Sequence, residues 1–312
     1  MSTTAFRDMK PFSQLMFSIF VILVSFLIFM FLGMLAAIPF FGPDSVMNMS
    51  GGTNLADPES MRLLKFLQVV QSIGLFIVPP FILAWLFYGK ADQYLLLNSN
   101  TSALSYLLVA ILIFFTLPLI NFIGEWNNQM QFPEWLSGVE EWMKNAEDRA
   151  AELTEAFLNV ESIGGLLFNL FMIAFLPAIG EELLFRGVIQ RIFTRWTRNH
   201  HWGIWIAAIL FSALHIQFYG FVPRLFLGVL FGYLLVWSGS MWLPIAAHFF
   251  NNAFAVVAMY LVDQNVLTPQ VEEIGTTAGS HYAAALSLVL VAILMFMIRK
   301  ENRDKALNYL NI

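Results

Sequence analysis

Eight stretches of this chain are apolar for about the length of a bilayer's hydrocarbon core, which restricts the fold more than any motif does. Crossing such a core takes roughly 20 residues in a helix. The runs fall at about 12–41, 65–89, 103–124, 161–185, 203–219, 221–238, 242–262 and 282–298. They predict an all-α fold, a polytopic transmembrane bundle of about eight spans over a single membrane domain, 1–312. The sixth run is short and bounded by Pro223 and Ser238-Gly239-Ser240, which leaves seven as the alternative count. The first run is too long for the core of a secretory signal and reads as a retained, tilted span.

Composition agrees: 59% of residues are hydrophobic and 12% charged, and the mean hydropathy is +0.71. A net charge of −5 with scattered basic residues excludes a nucleic-acid surface. The chain has no cysteine, so thiol nucleophiles, thiolate metal sites and disulfides are excluded.

Charge asymmetry orients the bundle. Arg7, Lys10, Lys90, Arg191, Arg195, Arg198, Arg299, Lys300, Arg303 and Lys305 fall on one side of an eight-span model. The other side carries nine carboxylates between Glu125 and Glu161 against Lys144 and Arg149, with Arg62, Lys65 and Arg224 as exceptions. Both termini are therefore expected in the cytoplasm. Within the acidic segment 125–160, Trp135, Leu136, Val139, Trp142, Met143 and Ala146 recur at helical spacing. They predict an extracytoplasmic amphipathic helix, lying on the interface or capping the bundle; a solvated connector is the other reading. Pro79-Pro80 and Pro177 should kink the second and fourth spans. Gly228 and Gly232 form a small-xxx-small pair suited to close helix packing.

Against this apolar background a few polar residues carry the chemistry, because ionisable groups among hydrocarbon are costly. Glu181 and Glu182 are adjacent, so on a helix they point about 100° apart and cannot serve the same partner. Glu182 and Arg186 have the favourable order for an i,i+4 ion pair, which frees Glu181 to face a cavity. His215 lies in the fifth run. His248 and Asn252 share one face of the seventh. His200, His201 and His281 read as ordinary interfacial residues, and Asn251 as a cross-helix hydrogen bonder.

A carboxylate, two imidazoles and an amide are the parts needed to activate water and stabilise an oxyanion. Glu181 suits a general base, His215 a partner that orients the water, and His248 with Asn252 the oxyanion side. Glu181, His215 and His248 also make a three-ligand set for a divalent metal such as zinc. No His-Glu-x-x-His pair is present, and the residue types permit either mechanism. No Gly-x-Ser-Gly or Gly-x-Gly-Asp stretch supports a serine or aspartyl protease.

Glu181-Glu182-x-x-x-Arg186, Phe211-x-x-x-His215 and His248-x-x-x-Asn252, in this order on separate apolar helices, resemble the three motifs of the CAAX protease and bacteriocin-processing (Abi) family. The resemblance covers roughly 160–262, the motif-bearing core. It implies an eight-span fold with a cavity open to the cytosolic side and an intramembrane endopeptidase whose best-known members remove three C-terminal residues from prenylated proteins. It also implies Glu181 as the water-activating carboxylate supported by Glu182 and Arg186, with His215 as its partner and His248 with Asn252 at the oxyanion. The expected partners are a membrane-associated peptide or protein substrate and the lipid bilayer. The expected location is a bacterial cell membrane. Prokaryotic relatives linked to bacteriocin immunity supply the alternative, a non-catalytic immunity or scaffold protein binding through the same cavity. A proton-coupled transporter is less favoured, since no inverted repeat is evident. One difficulty is depth: counted from the cytosolic ends, His248 lies about 10 Å in and His215 about 20 Å. To meet, the fifth span must start later than drawn or tilt strongly.

Overall fold

Each apolar run is helical over most of its length. A computed structural model describes residues 6–47, 54–268, 274–277 and 279–305. The principal helices are α1 (Pro11–Phe41), α2 (Pro58–Tyr88), α3 (Ala103–Asn128), α4 (Ser137–Leu158), α5 (Ile163–Thr197), α6 (His200–Ala213), α7 (Phe221–Ser238), α8 (Trp242–Asp263) and α9 (His281–Glu301). Among the described residues there is no strand. Seven of these helices, all but α4 and α6, are long and apolar enough to cross a membrane. The chain is an all-helical, multi-pass integral membrane protein. The short member is α6, with 14 residues, or about 21 Å of rise; the sixth run, suspected from its flanks, forms a complete 18-residue helix.

Polar side chains mark the helix starts. Asp57 accepts from the Ser60 N–H, Ser102 from the Ser105 N–H, and Ser162 from the Gly165 N–H, each satisfying a donor that the first turn leaves free.

Contacts sort the ends into two faces. On one, Arg195 of α5 donates to Gln14 of α1, Arg7 reaches the carbonyl of Tyr88, Asn302 donates to Ser105, and His201 meets Tyr233 at 2.7 Å. This face holds both terminal regions and most of the basic side chains. On the other, Asn127 of α3 donates to Phe218, Lys65 of α2 donates to Phe157 of α4, and Trp142 of α4 packs 5.2 Å from Phe218. The acidic α4 is thus a helix that caps the bundle, with Met143 and Phe157 buried and Trp142 exposed.

The prolines are accommodated by wider turns. Pro79 and Pro80 follow a π-helical turn at Ile73–Ile77, closed by the Val78 N–H on Ile73 O. Pro177 follows another at Leu170–Phe175, closed by the Leu176 N–H on Phe171 O. A third, Leu183–Ile189, begins directly after Glu182. Such turns free carbonyls, which other helices then satisfy: Ser25 Oγ of α1 donates to Gly74 O at 2.6 Å. Gly180 sits against this part of α2, where a methyl group would stand 2.7 Å from Phe76 Cβ.

Candidate active site

The α5 helix carries both glutamates, and against the expectation that they cannot share a partner both face His248, Glu182 at its Nδ1 and Glu181 at its Nε2. Glu182 is fully buried. Its Oε1 lies 2.9 Å from Arg186 Nη1 and accepts from His248 Nδ1 at 2.8 Å. The guanidinium contact is charge against charge rather than an aligned hydrogen bond, and Oε2 of Glu182 has no hydrogen-bond partner among the described residues. Arg186 also donates to Gly228 O at 3.2 Å, and its guanidinium lies 4.6 Å from the Phe211 ring and 5.5 Å from Phe231. One turn on, Gln190 donates to Gly232 O. The glycine pair of α7 thus admits α6 at close range while its carbonyls are met by α5. A methyl group at Gly232 would stand 2.7 Å from Ile204 Cγ2, and one at Gly228 3.0 Å from Ala208 Cβ.

Glu181 points the other way, into a cavity of about 410 Å³ that it shares with His215, His248, Asn251, Asn252 and the rings of Phe211 and Phe231. Its side chain is 13% exposed, and Oε2 stands 3.8 Å from His248 Nε2. His248 is stacked on Phe231, 5.3 Å between centroids. Because its Nδ1–H serves the Glu182 carboxylate, the neutral ring presents a lone pair at Nε2 toward Glu181. His215 lies just beyond the last residue of α6; its Nδ1 donates to Phe211 O at 2.7 Å, which leaves its Nε2 as an acceptor too. The following residue, Ile216, holds a left-handed conformation at φ +53°, a strained position for a β-branched side chain.

The two histidines line one cavity, although the helix of the fifth run does not start later than drawn. The α6 helix starts earlier, at His200. The start of α8 is sunk: Ser240 Oγ donates to Ser99 O, Trp242 Nε1 to Leu97 O and the Met241 N–H to Leu96 O, so 95–99 lies over it. His248 therefore lies deeper than a count from the surface suggests.

Asn252 donates to Ile173 O at 3.0 Å and accepts from Asn251. Ile173 is four residues before Pro177, whose missing N–H leaves this carbonyl without its ordinary helical donor. Asn252 fills that vacancy and ties α8 to α5 beside the cavity. Glu181, His215 and His248 supply donors of the right chemistry for a metal, but among the described residues no three such side chains converge closely enough to hold an ion.

Ala150, Leu153, Thr154 and Phe157 of α4 also line the cavity, which places it toward the face opposite the termini. With the termini in the cytoplasm that is the extracytoplasmic side. The cytosolic opening implied by the resemblance and the orientation implied by the charges are not compatible in this structure. The sequence reading passed over Phe231, which stacks on His248. It marked Arg224 only as a misplaced charge. That misplacement was the available signal, for Arg224 also lines the cavity.

Fold and site together define a multi-pass helical membrane protein with a buried glutamate–arginine–histidine cluster beside a second, cavity-facing glutamate. Residues 163–254 match the family model described as Type II CAAX prenyl endopeptidase Rce1-like. The resemblance read from the three motifs therefore holds over the segment that carries them. The chain is 30% identical over 105 residues to "Uncharacterized protein YpbD" of Bacillus subtilis, covering 32% of this chain and 49% of that one. It is 24% identical over 151 residues to "Putative membrane peptidase YdiL" of the same organism, covering 48% and 61%. The matched regions thus span about half to three-fifths of these relatives. No solved structure matches the chain.

Proposed function

We propose that this chain is an intramembrane endopeptidase of a bacterial cell membrane that hydrolyses a peptide bond in a membrane-associated peptide or protein. The observation that carries the reading is the unequal placement of two adjacent glutamates. Glu182 is locked between Arg186 and His248, while Glu181 faces the cavity with His248 Nε2 beside it. A water held between Glu181 Oε2 and an imidazole Nε2 gives up a proton to the carboxylate as its oxygen bonds to the substrate carbonyl carbon. His215, fixed by Phe211 O, orients that water through Nε2. The second N–H of Asn252 is a donor on the oxyanion side, and His248 joins it through Nε2–H when it enters the reaction already carrying a proton on both nitrogens. Glu181 then passes its proton to the leaving nitrogen as the C–N bond breaks, giving a carboxylate and an amine.

The test compares wild type and Glu181→Gln in detergent against a diverse peptide library, with new termini read by mass spectrometry. The expected result is cleavage by wild type, loss of at least about 100-fold in Glu181→Gln, and cleavage that persists in a chelator. Activity lost to the chelator and restored by zinc would replace carboxylate-activated water with metal-bound water. Peptide binding without cleavage in either protein would overturn the protease reading in favour of an immunity or scaffold role.

A further inference from the structure

One half-buried cation lining the cavity has no part in the proposed hydrolytic machinery. Arg224 lies in the first turn of α7, where a positive charge opposes the helix macrodipole, so helix stability does not explain it. Its guanidinium donates to the backbone carbonyl of Gln217 at 3.1 Å and to that residue's side-chain oxygen, both neutral acceptors. It lies flat over Gly220, where a methyl group would stand 2.6 Å from Nη1. The carboxylates whose charges act on it are Glu147 of α4 and Glu181, and neither is in ion-pair contact. Glu147 instead accepts from the Tyr219 N–H at 3.2 Å.

Arg224 also stands where two cavities adjoin. With Leu227 and Asn251 it lines both the site cavity and a second cavity of about 590 Å³ between α3, α7 and α8. A chain laid from one into the other passes the guanidinium. Two Gln217 oxygens hold the planar fork on one edge, which leaves N–H groups for a further acceptor, and the fork matches a carboxylate in shape and charge.

Building on the protease reading, we infer that Arg224 is a specificity residue that binds a carboxylate of the substrate peptide beside the scissile bond. That carboxylate belongs either to the peptide's C-terminus or to an Asp or Glu side chain, and the same chemistry serves both. Gln217 holds the guanidinium in place between substrates. A purely structural Arg224, serving only to tie down the 214–220 turn, would affect all substrates alike.

The experiment uses peptides that the wild type cuts, made as C-terminal acid and amide, and with each Asp or Glu replaced by Asn or Gln. Wild type, Arg224→Gln and Arg224→Lys are compared for kcat and KM on each form. The expected result is a preference of about 10–100-fold for one carboxylate over its amide, the range for a charge-assisted hydrogen bond, carried mainly by KM. Arg224→Gln abolishes that preference and Arg224→Lys keeps part of it. Whichever arm shows the preference, terminal or side-chain, identifies the source. No preference in wild type, or the same ratio in Arg224→Gln despite slower turnover, overturns the inference. Binding of a mixed peptide library, in acid and amide forms, to Glu181→Gln with and without Arg224→Gln separates the two claims. If nothing is cut but acid forms are retained in an Arg224-dependent way, the carboxylate site stands and the protease reading falls. If peptides are cut and retention ignores Arg224, the reverse holds.

Discussion

Glu182 is where the residues of the site depend most on one another. A fully buried carboxylate is tolerable only with compensation, and here a guanidinium and an imidazole both supply it at Oε1. Arg186→Gln removes the permanent charge and leaves Glu182 with His248 alone. It should cost about 3–5 kcal/mol, the range for breaking a buried pair. The double variant Glu182→Gln/Arg186→Gln buries no unpaired charge and should lose less than the two single variants summed. Thermal unfolding in detergent checks this, and additive losses would show that the pair is not coupled. The i,i+4 spacing made the Glu182–Arg186 pair legible in the sequence. The third member was not, because His248 lies 66 residues away and only tertiary packing decides which carboxylate its Nδ1 meets. The sequence reading placed His248 with Asn252 on the oxyanion side. In the structure the same ring serves Glu182 through Nδ1 and faces Glu181 through Nε2, so its role turns on its protonation.

Among the elements, α5 shows what pattern reveals and what it conceals. Pro177 announced a break because it lacks an N–H. The π-helical turn that absorbs the break, and the Asn252 amide that caps the stranded Ile173 carbonyl, come from a helix far along the chain and leave no local trace. The second half of α5 was also hidden: the apolar run stops near 185, yet the helix continues to Thr197. Its polar side chains are taken up by neighbours, with Arg191 4.3 Å over the Tyr94 ring and Arg195 on Gln14. The capping argument yields a coupled prediction. Asn252→Ala should cost about 0.5–1.5 kcal/mol in the parent chain, the range for a hydrogen bond between membrane helices. In Pro177→Ala the restored N–H can satisfy Ile173 O, so the same substitution should cost less. A double-mutant cycle on unfolding in detergent measures the difference, and additivity to within about 0.3 kcal/mol would refute the capping role.

At the scale of the whole molecule, the arrangement of faces decides from which side a substrate enters. The bundle presents a basic face with both terminal regions and an acidic face closed by α4, and the cavity lies toward the latter. By the tendency of basic segments to stay in the cytoplasm during insertion, α4 would face outward. Thr154 is exposed and also lines the cavity, so the mouth lies beside α4. That both terminal regions share one face was legible from the alternation of charged loops. The direction in which the cavity opens was not, because it depends on how α4 and the 214–220 turn fold back over the site. Because the chain has no cysteine, single cysteines introduced into it report topology without background. Asn145→Cys and Thr154→Cys should react with a membrane-impermeant maleimide in intact cells, whereas Asn98→Cys, on the basic face, should react only after permeabilisation. A substrate peptide in the cavity should slow labelling at Thr154→Cys and leave Asn145→Cys unchanged. The reverse pattern, with Asn98→Cys labelled in intact cells and the α4 positions protected, would invert the bundle and turn the cavity toward the cytosol. Substrate would then enter from the side that the motif resemblance implies.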